Sequence, residues 1–293
     1  MNELAQLVPK DIDFSILASL FGSQSEIPFI EIVFVFSSMA APILFMCFEN
    51  KEAWQRYGFF NIFGQCFGRV ALDIGLVIGI CGSAIGVVAM TLGKQVDYTG
   101  SISVALLAML WGGIFVGLGY FLHNPNIPIK ARLSGWLAFF SLAGSSNACF
   151  TMLDYAARYN DMTFGEMHLP LGSEALYPYL IVLGLCFLCL RFNGKPWVVS
   201  FTDANLLATM GGLGMGIVLW FTSGGGYEEG RAAIYTCAIT LLWGSIFYII
   251  AYIASLYFGT QEQGNYQTKT WHLSEGAVFF IFLLYAPVGA TEW

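Results

Sequence analysis

Charged residues are scarce in this sequence, and their scarcity excludes most soluble folds. They make up 11% of the 293 residues, about half the share of soluble domains, while hydrophobic residues make up 57% and the mean hydropathy is +0.68. We therefore predict an all-α, polytopic membrane protein. The net charge of −7 argues against nucleic acid or anionic lipid as the chief partner.

Motifs for catalysis and cofactor binding are also missing. The sequence has no glycine-rich phosphate loop, no nucleophile elbow and no cluster with metal-ligand spacing. Its three histidines do not form a pair within one helix, and its seven cysteines lie in apolar or membrane-flanking stretches as small hydrophobic residues. Cys186 and Cys189 have C-x-x-C spacing, but no second pair accompanies them. We expect no enzyme activity, no metal and no cofactor.

Two long apolar runs lie between Val70 and Leu122. Each is long enough to cross a bilayer as a helix, and a short polar turn from Lys94 to Gly100 joins them into a hairpin. Small residues recur in both runs at helical spacing, so neighbouring backbones can approach closely. The glycines expected to pack against other helices are Gly79, Gly82, Gly86, Gly113 and Gly117.

A second copy of this hairpin lies between Thr202 and Ala254, shifted by about 130 residues. The matched positions are Asp73 with Asp203, Gly82 with Gly212, Gly86 with Gly216 and, after a two-residue slip in the turn, Leu110-Trp111-Gly112 with Leu242-Trp243-Gly244. Gly212 and Gly216 are accordingly expected to pack like their counterparts. The pattern predicts a tandem duplication of one membrane unit.

The motifs of the hairpin resemble a known family. They are Gly79-Ile80-Cys81-Gly82-Ser83-Ala84-Ile85-Gly86, Val104-Ala105-Leu106-Leu107 and Leu110-Trp111-Gly112. Together they resemble the central hairpin of the MotA/TolQ/ExbB family of proton-channel subunits. The resemblance implies an oligomer around a partner's single membrane helix, which carries the ion-binding aspartate. The pore-facing residues that it implies are Ser83, Ala84, Gly86, Ala105 and Ala108 in the first copy, with Gly214, Gly216, Ala238 and Thr240 in the second.

Hydroxyl side chains, which help to line the family's ion path, are fewer here. Ser83 stands where the family usually has a threonine, and Leu213 stands there in the second copy. In the second helix Ala108 replaces a hydroxyl residue, whereas Thr240 keeps one. The implied path thus retains Ser83 and Thr240, one in each copy.

The whole chain is predicted to form a bundle of about eight transmembrane helices in two parallel four-helix repeats. An amphipathic segment, 1–26, precedes repeat 1 at 27–155 and repeat 2 at 174–293. Of the 12 Lys and Arg residues, eight fall in loops on one side, so the positive-inside rule places both termini outside the cytoplasm. The expected location is a bacterial inner membrane. The predicted spans are Ile27–Cys47, the two arms of the hairpin, Leu133–Met152, Leu176–Leu190, Leu206–Phe221, Ala232–Tyr257 and Gly276–Val288.

Four acidic residues lie close to apolar sequence: Glu31, Asp73, Asp203 and Glu275. An unpaired charge in hydrocarbon costs roughly 3 kcal/mol or more, so such residues are candidates for an ion path. Asp73 and Asp203 also fit a simpler interpretation, as helix-start carboxylates among the lipid headgroups. Both interpretations stay open for them.

Three functions are compatible with these features. The first is an ion channel subunit, for protons or sodium, in an oligomeric energy-transducing complex with a single-span partner. The second is a non-conducting structural or assembly subunit of a larger membrane complex. The third is a secondary transporter with parallel repeats, whose site would lie between Glu31, Asn147 and Glu275.

Overall fold

The fold is known from a computed structural model, which describes residues 27–92, 98–124, 126–159, 176–222, 227–260 and 265–277. The described residues are helical and contain no strand. The helices are α1 (Ile27–Glu49), α2 (Lys51–Tyr57), α3 (Phe59–Val70), a π-helical turn (Ala71–Gly75), α4 (Leu76–Leu92), α5 (Tyr98–Leu122), α6 (Gly135–Tyr159), α7 (Leu176–Phe192), α8 (Trp197–Thr222), α9 (Tyr227–Phe258) and α10 (266–277).

Four of the described stretches are long and apolar enough to cross a membrane: Phe59–Val88, Gly135–Ala156, Trp197–Thr222 and Ala232–Phe258. A fifth results if Val33–Glu49 and Lys51–Tyr57, which meet at an angle of 75°, form one broken span. Two shorter apolar helices, Leu106–Leu122 and Leu176–Phe192, accompany them. The prediction of an all-α integral membrane protein is confirmed, whereas the number eight stays a prediction.

The segment between the first two predicted spans differs from the sequence-based expectation. The alternation of aromatic and polar residues over Glu49–Arg69 predicts one helix at the membrane interface. Instead, Gly58 breaks the segment at a φ of +83°, a conformation that favours glycine. From Phe59 the chain then runs continuously through the π-helical turn into α4. Asp73 consequently lies inside a long helix and not at its start, so the helix-start interpretation is wrong for this residue.

Helix α4 lies at the centre of the bundle. It packs against α5, α9, α6 and α1, and Phe59–Val88 is the most buried of the four spans. Helices α8 and α7 follow beyond α9, so five helices form the row α5–α4–α9–α8–α7. Helix α1 packs extensively on α6. This row places the two predicted hairpins side by side, with α4 of the first against α9 of the second.

Within each hairpin the helices cross at small residues. A Cβ atom added to Gly82 would lie 2.8 Å from the Cβ of Ala108, and one added to Gly212 would overlap the Thr240 side chain. Because such contacts are too short for any real Cβ, larger residues at these two glycines would push the helices apart. The amphipathic segment 1–26 and most of the predicted last span, 278–288, lie outside the described residues.

Candidate functional site

The π-helical turn Ala71–Gly75 holds the most buried acidic residue in the described part of the chain. Asp73 is 3% exposed, and its carboxylate accepts a hydrogen bond of 3.1 Å from Nε of Arg69, one turn earlier. The Arg69 side chain reaches the surface, with 27% of its area exposed. Since π-helical turns in α-helices occur frequently at functional sites, this position is the first candidate.

Residues of helices α9 and α10 pack around the same π-helical turn. Thr270 of α10 donates a hydrogen bond of 2.8 Å to the backbone carbonyl of Asp73. Tyr248 of α9 donates to the Tyr266 carbonyl at 2.7 Å and lies 3.0 Å from the Thr270 hydroxyl. The hydroxyl of Tyr252 lies beside the Asp73 carboxylate, outside good hydrogen-bonding geometry. We call Arg69, Asp73, Tyr248, Tyr252, Tyr266 and Thr270 the Asp73 cluster.

Asp203 lies close by, and its side chain is more exposed than that of Asp73. Its carboxylate accepts from Nζ of Lys269 at 2.6 Å and from Nζ of Lys195 at 2.8 Å. Asp203 belongs to the second turn of α8, which begins at Trp197, so it is not a helix-start residue either. Lys269 precedes Thr270, the residue that contacts Asp73. The first turns of α10 therefore attach to both matched aspartates.

Tyr266 of α10 adds a further attachment. Its hydroxyl donates to the Ala251 carbonyl at 3.1 Å and lies 3.2 Å from the hydroxyl of Thr202. Burial raises the pKa of Tyr266, so the group stays protonated and available as a donor at neutral pH. Taken together, the ionic and hydroxyl groups at this end of the bundle connect helices, and no metal-binding group of His, Cys, Asp and Glu occurs among the described residues.

The two hydroxyls of the implied ion path occupy separate hairpins. Thr240 donates to the Thr236 carbonyl of its own helix at 2.7 Å and lies against Gly212, inside the α8–α9 crossing. Ser83 is buried in α4. Ala108, also implied to face the pore, lies inside the α4–α5 crossing against Gly82. Within one chain, Ala108 and Thr240 therefore lie inside two different hairpins.

The remaining acidic candidates do not join the cluster. Glu31 belongs to α1, but its side chain lies outside the described residues. Glu275 is exposed on α10 and lies 3.5 Å from Nδ1 of His272. Asn147 lines a cavity of about 290 Å³ between α1 and α6, away from α10. The transporter hypothesis requires one site that contains both Asn147 and Glu275, and the described residues do not form such a site.

The glycines expected to pack fall into two groups. Gly79, Gly82, Gly212 and Gly216 lie in close contact with a neighbouring helix, and Gly86 is buried. Gly113 and Gly117 instead lie on an open side of α5, where an added Cβ would meet nothing within 4 Å. Their spacing marks a helix face correctly, but no described residue of the chain packs against it.

A second polar network was not foreseen from the sequence. Asn205 of α8 accepts from the Tyr179 hydroxyl of α7 at 2.7 Å and donates to the Gly244 carbonyl of α9 at 2.8 Å. Thr209 completes it, 3.0 Å from the Tyr179 hydroxyl. Asn205 and Thr209 occupy the positions matched to Gly75 and Gly79 in the first hairpin. An asparagine inside an apolar run was the available signal, because a buried amide needs partners in the membrane.

No protein-family model, curated protein or solved structure matches the chain. The resemblance to the MotA/TolQ/ExbB family therefore rests on the hairpin residues alone and stays a prediction.

Proposed function

We propose that this protein is a non-conducting structural subunit of a larger membrane complex, with its polar side chains used to hold helices together. One observation carries the proposal: several buried polar groups among the described residues bond from one helix to another. Asn205 connects α8 to α9, Thr270 connects α10 to the π-helical turn, and Ser145 of α6 donates to the Ser38 carbonyl of α1 at 2.8 Å. A conducting site would present such groups to an ion or to water.

The charges support the same function. Asp73 and Asp203 are each neutralised by neighbouring cations, and both contact or adjoin α10. A paired carboxylate in a membrane helix is less costly than a free one, so these pairs stabilise the bundle without an ion to carry. In this proposal they lie near the cytoplasmic surface, with both termini on the opposite side.

The architecture that we propose is a duplicated unit, in two parallel repeats of four spans. Matched residues make matched contacts: Gly82 with Ala108 corresponds to Gly212 with Thr240. Likewise, the close approach of Gly112 to Gly79 corresponds to that of Gly244 to Thr209. These parallels support a common origin of the hairpins, since both crossings use the same positions.

An ion channel subunit is the second candidate, and one observation favours it. Asp73 lies in a π-helical turn, is nearly inaccessible and has a neighbouring tyrosine hydroxyl in imperfect geometry. A buried carboxylate of this kind could exchange a proton if the helices around it moved. In that case a partner with a single membrane helix and a membrane aspartate would complete the path.

Isolation of the protein from its native membrane in mild detergent tests the proposal. We expect a stable complex with several further subunits, from which the Asn205→Leu variant is lost or depleted. Asn147→Leu is the matched control, because Asn147 is exposed on α6 and should assemble normally. Isolation with only a single-span protein that carries a membrane aspartate would contradict the proposal and favour the channel.

A further inference from the structure

Matched faces of α4 and α8 differ sharply in burial. Val77, Ile85 and Val88 of α4 are each at most 1% exposed, whereas their counterparts Leu207, Met215 and Val218 are 53, 65 and 58% exposed. Between them lie Cys81 and Ala84, both buried, and the matched Gly211 and Gly214, around which an added Cβ would meet nothing within 4 Å. These positions recur at intervals of three and four, so they form one continuous face on each helix.

Helices α5 and α9 show the opposite difference. Leu242, Ser245, Ile249, Tyr252 and Ile253 of α9 are buried. Their counterparts on α5 are open: Leu110, Tyr120 and Phe121 are exposed, and Gly113 and Gly117 have no atoms near an added Cβ. Thus the face that is buried on α9 is exposed at the matched positions of α5, and the face that is buried on α4 is exposed at the matched positions of α8.

The row α5–α4–α9–α8 explains both differences. Inside the chain, α9 of the second hairpin packs extensively on α4 of the first, while α6 also contacts that side of α4 through the neighbouring thiols Cys81 and Cys149. The two open faces, on α5 and α8, are the counterparts of the two faces that meet there. They lie on the first and last of these four helices, and α7 contacts α8 through Asn205 and Thr209, which are not part of the open face.

We propose that a second copy of this chain docks head to tail, with its α5 face against the α8 face of the first copy. This contact would repeat, between chains, the α9–α4 contact within the chain. The inference rests on the duplication in the proposed function, because only matched positions relate the two contacts. Since the two docking faces are different, the interface is heterologous, and a docked pair still offers one free face of each kind, α5 on one copy and α8 on the other.

The glycines of the open faces favour a protein neighbour over lipid. Glycine weakens a helix relative to alanine. Gly113, Gly117, Gly211 and Gly214 all lie where no described residue would contact an added Cβ. Between helices in a membrane, in contrast, small residues allow close packing of the backbones.

The internal contact also predicts which residues meet. Tyr252 of α9 lies beside Asp73. Helices α4 and α9 run in opposite directions, so residues that follow Asp73 by a number of turns lie level with residues that precede Tyr252 by the same number. Two turns from this anchor, Cys81 is level with Ser245. The matched positions are Gly211 and Gly113. A second copy would accordingly bring its Gly113 next to Gly211 of the first copy.

Cysteine cross-linking in the intact membrane tests the proposal. The background variant replaces the three native cysteines that are not buried, Cys149, Cys186 and Cys189, with serine. Gly113→Cys and Gly211→Cys are introduced on separately tagged chains, alone and together, since no described residue of the single chain would contact a Cβ at either position. We expect a cross-linked dimer when the two variants are coexpressed and little from either alone. A chain that carries both changes should form a ladder beyond the dimer.

Three results would overturn the proposal: no cross-link in the coexpressed pair, a stronger dimer from one variant alone, or cross-linking to a different protein. In the chain that carries both cysteines, Gly117→Leu on the same face of α5 should abolish the ladder, whereas Gly184→Leu, at an equally open glycine on α7, should have no effect. Proton flux in vesicles is a separate readout. If the vesicles show no proton flux above background and no cross-link forms, the structural function still holds and only the docking of a second copy is disproved.

Discussion

Thr270 donates a hydrogen bond of 2.8 Å to the backbone carbonyl of Asp73, a residue almost 200 positions earlier in the chain. The bond connects α10 to the π-helical turn, whose carbonyls lack the regular α-helical pattern. With Lys269 paired to Asp203 at the preceding position, one short segment holds both hairpins at the same end. The arrangement suggests that α10 fixes the relative position of α4 and α8.

Thr270→Val should therefore destabilise the bundle. The change keeps the side-chain volume but leaves the buried Asp73 carbonyl without this donor, at an expected cost of about 1 kcal/mol. Thr268→Val is the control, because Thr268 is exposed and bonds only to the nearby Asn265 side chain. The midpoint of thermal unfolding in detergent measures both. Equal midpoints for the two variants would show that the α10 contact is dispensable.

Asn205→Leu should lower the unfolding midpoint as well. The variant removes one bond to α7 and one to α9, and membrane hydrogen bonds contribute about 0.6 kcal/mol each on average, so a loss of about 1–2 kcal/mol is expected. Tyr179→Phe should have a smaller effect, since Asn205 keeps its bond to Gly244. If Asn147→Leu on the exposed side of α6 is equally destabilising, the network has no special role.

Gly82→Leu and Gly212→Leu should each reduce assembly by a similar extent. Both added side chains would collide with the opposing helix of their own hairpin, and overpacking usually costs about 1–3 kcal/mol. Gly184→Leu is again the matched control, because that glycine faces open space. The yield of folded protein after gel filtration is the measurement. Normal assembly of both variants would contradict the proposed hairpin crossings.

The sequence predicted the hairpins well because close helix crossings need small residues at regular spacing. Gly82 and Gly212 could be recognised for this reason, and the matched contacts with Ala108 and Thr240 follow the alignment. The surroundings of Asp73 could not be predicted, since they depend on Thr270 and Tyr252, which come from distant segments. Glycine spacing also cannot tell whether the neighbouring helix belongs to the same chain, and Gly113 and Gly117, expected to pack against other helices, meet none among the described residues.

The orientation in the membrane is a further prediction. Eight of the 12 Lys and Arg residues lie between the eight predicted spans on one side, so both termini should face away from the cytoplasm. A reporter that is active only in the cytoplasm should be silent when fused after Trp293 and active in the loop after Arg191. A signal from the Trp293 fusion would require an odd number of spans.

The central claim is that the protein holds a complex together without conducting ions. The most direct test is ion flux, followed with a pH-sensitive dye under an imposed potential, in vesicles that contain the native complex. The double variant Ser83→Ala with Thr240→Val removes both hydroxyls of the implied path and nearly conserves their volume. We predict normal assembly and the same flux as wild type. A several-fold loss of flux in a correctly assembled double variant would contradict the structural function and establish an ion path along the hairpins.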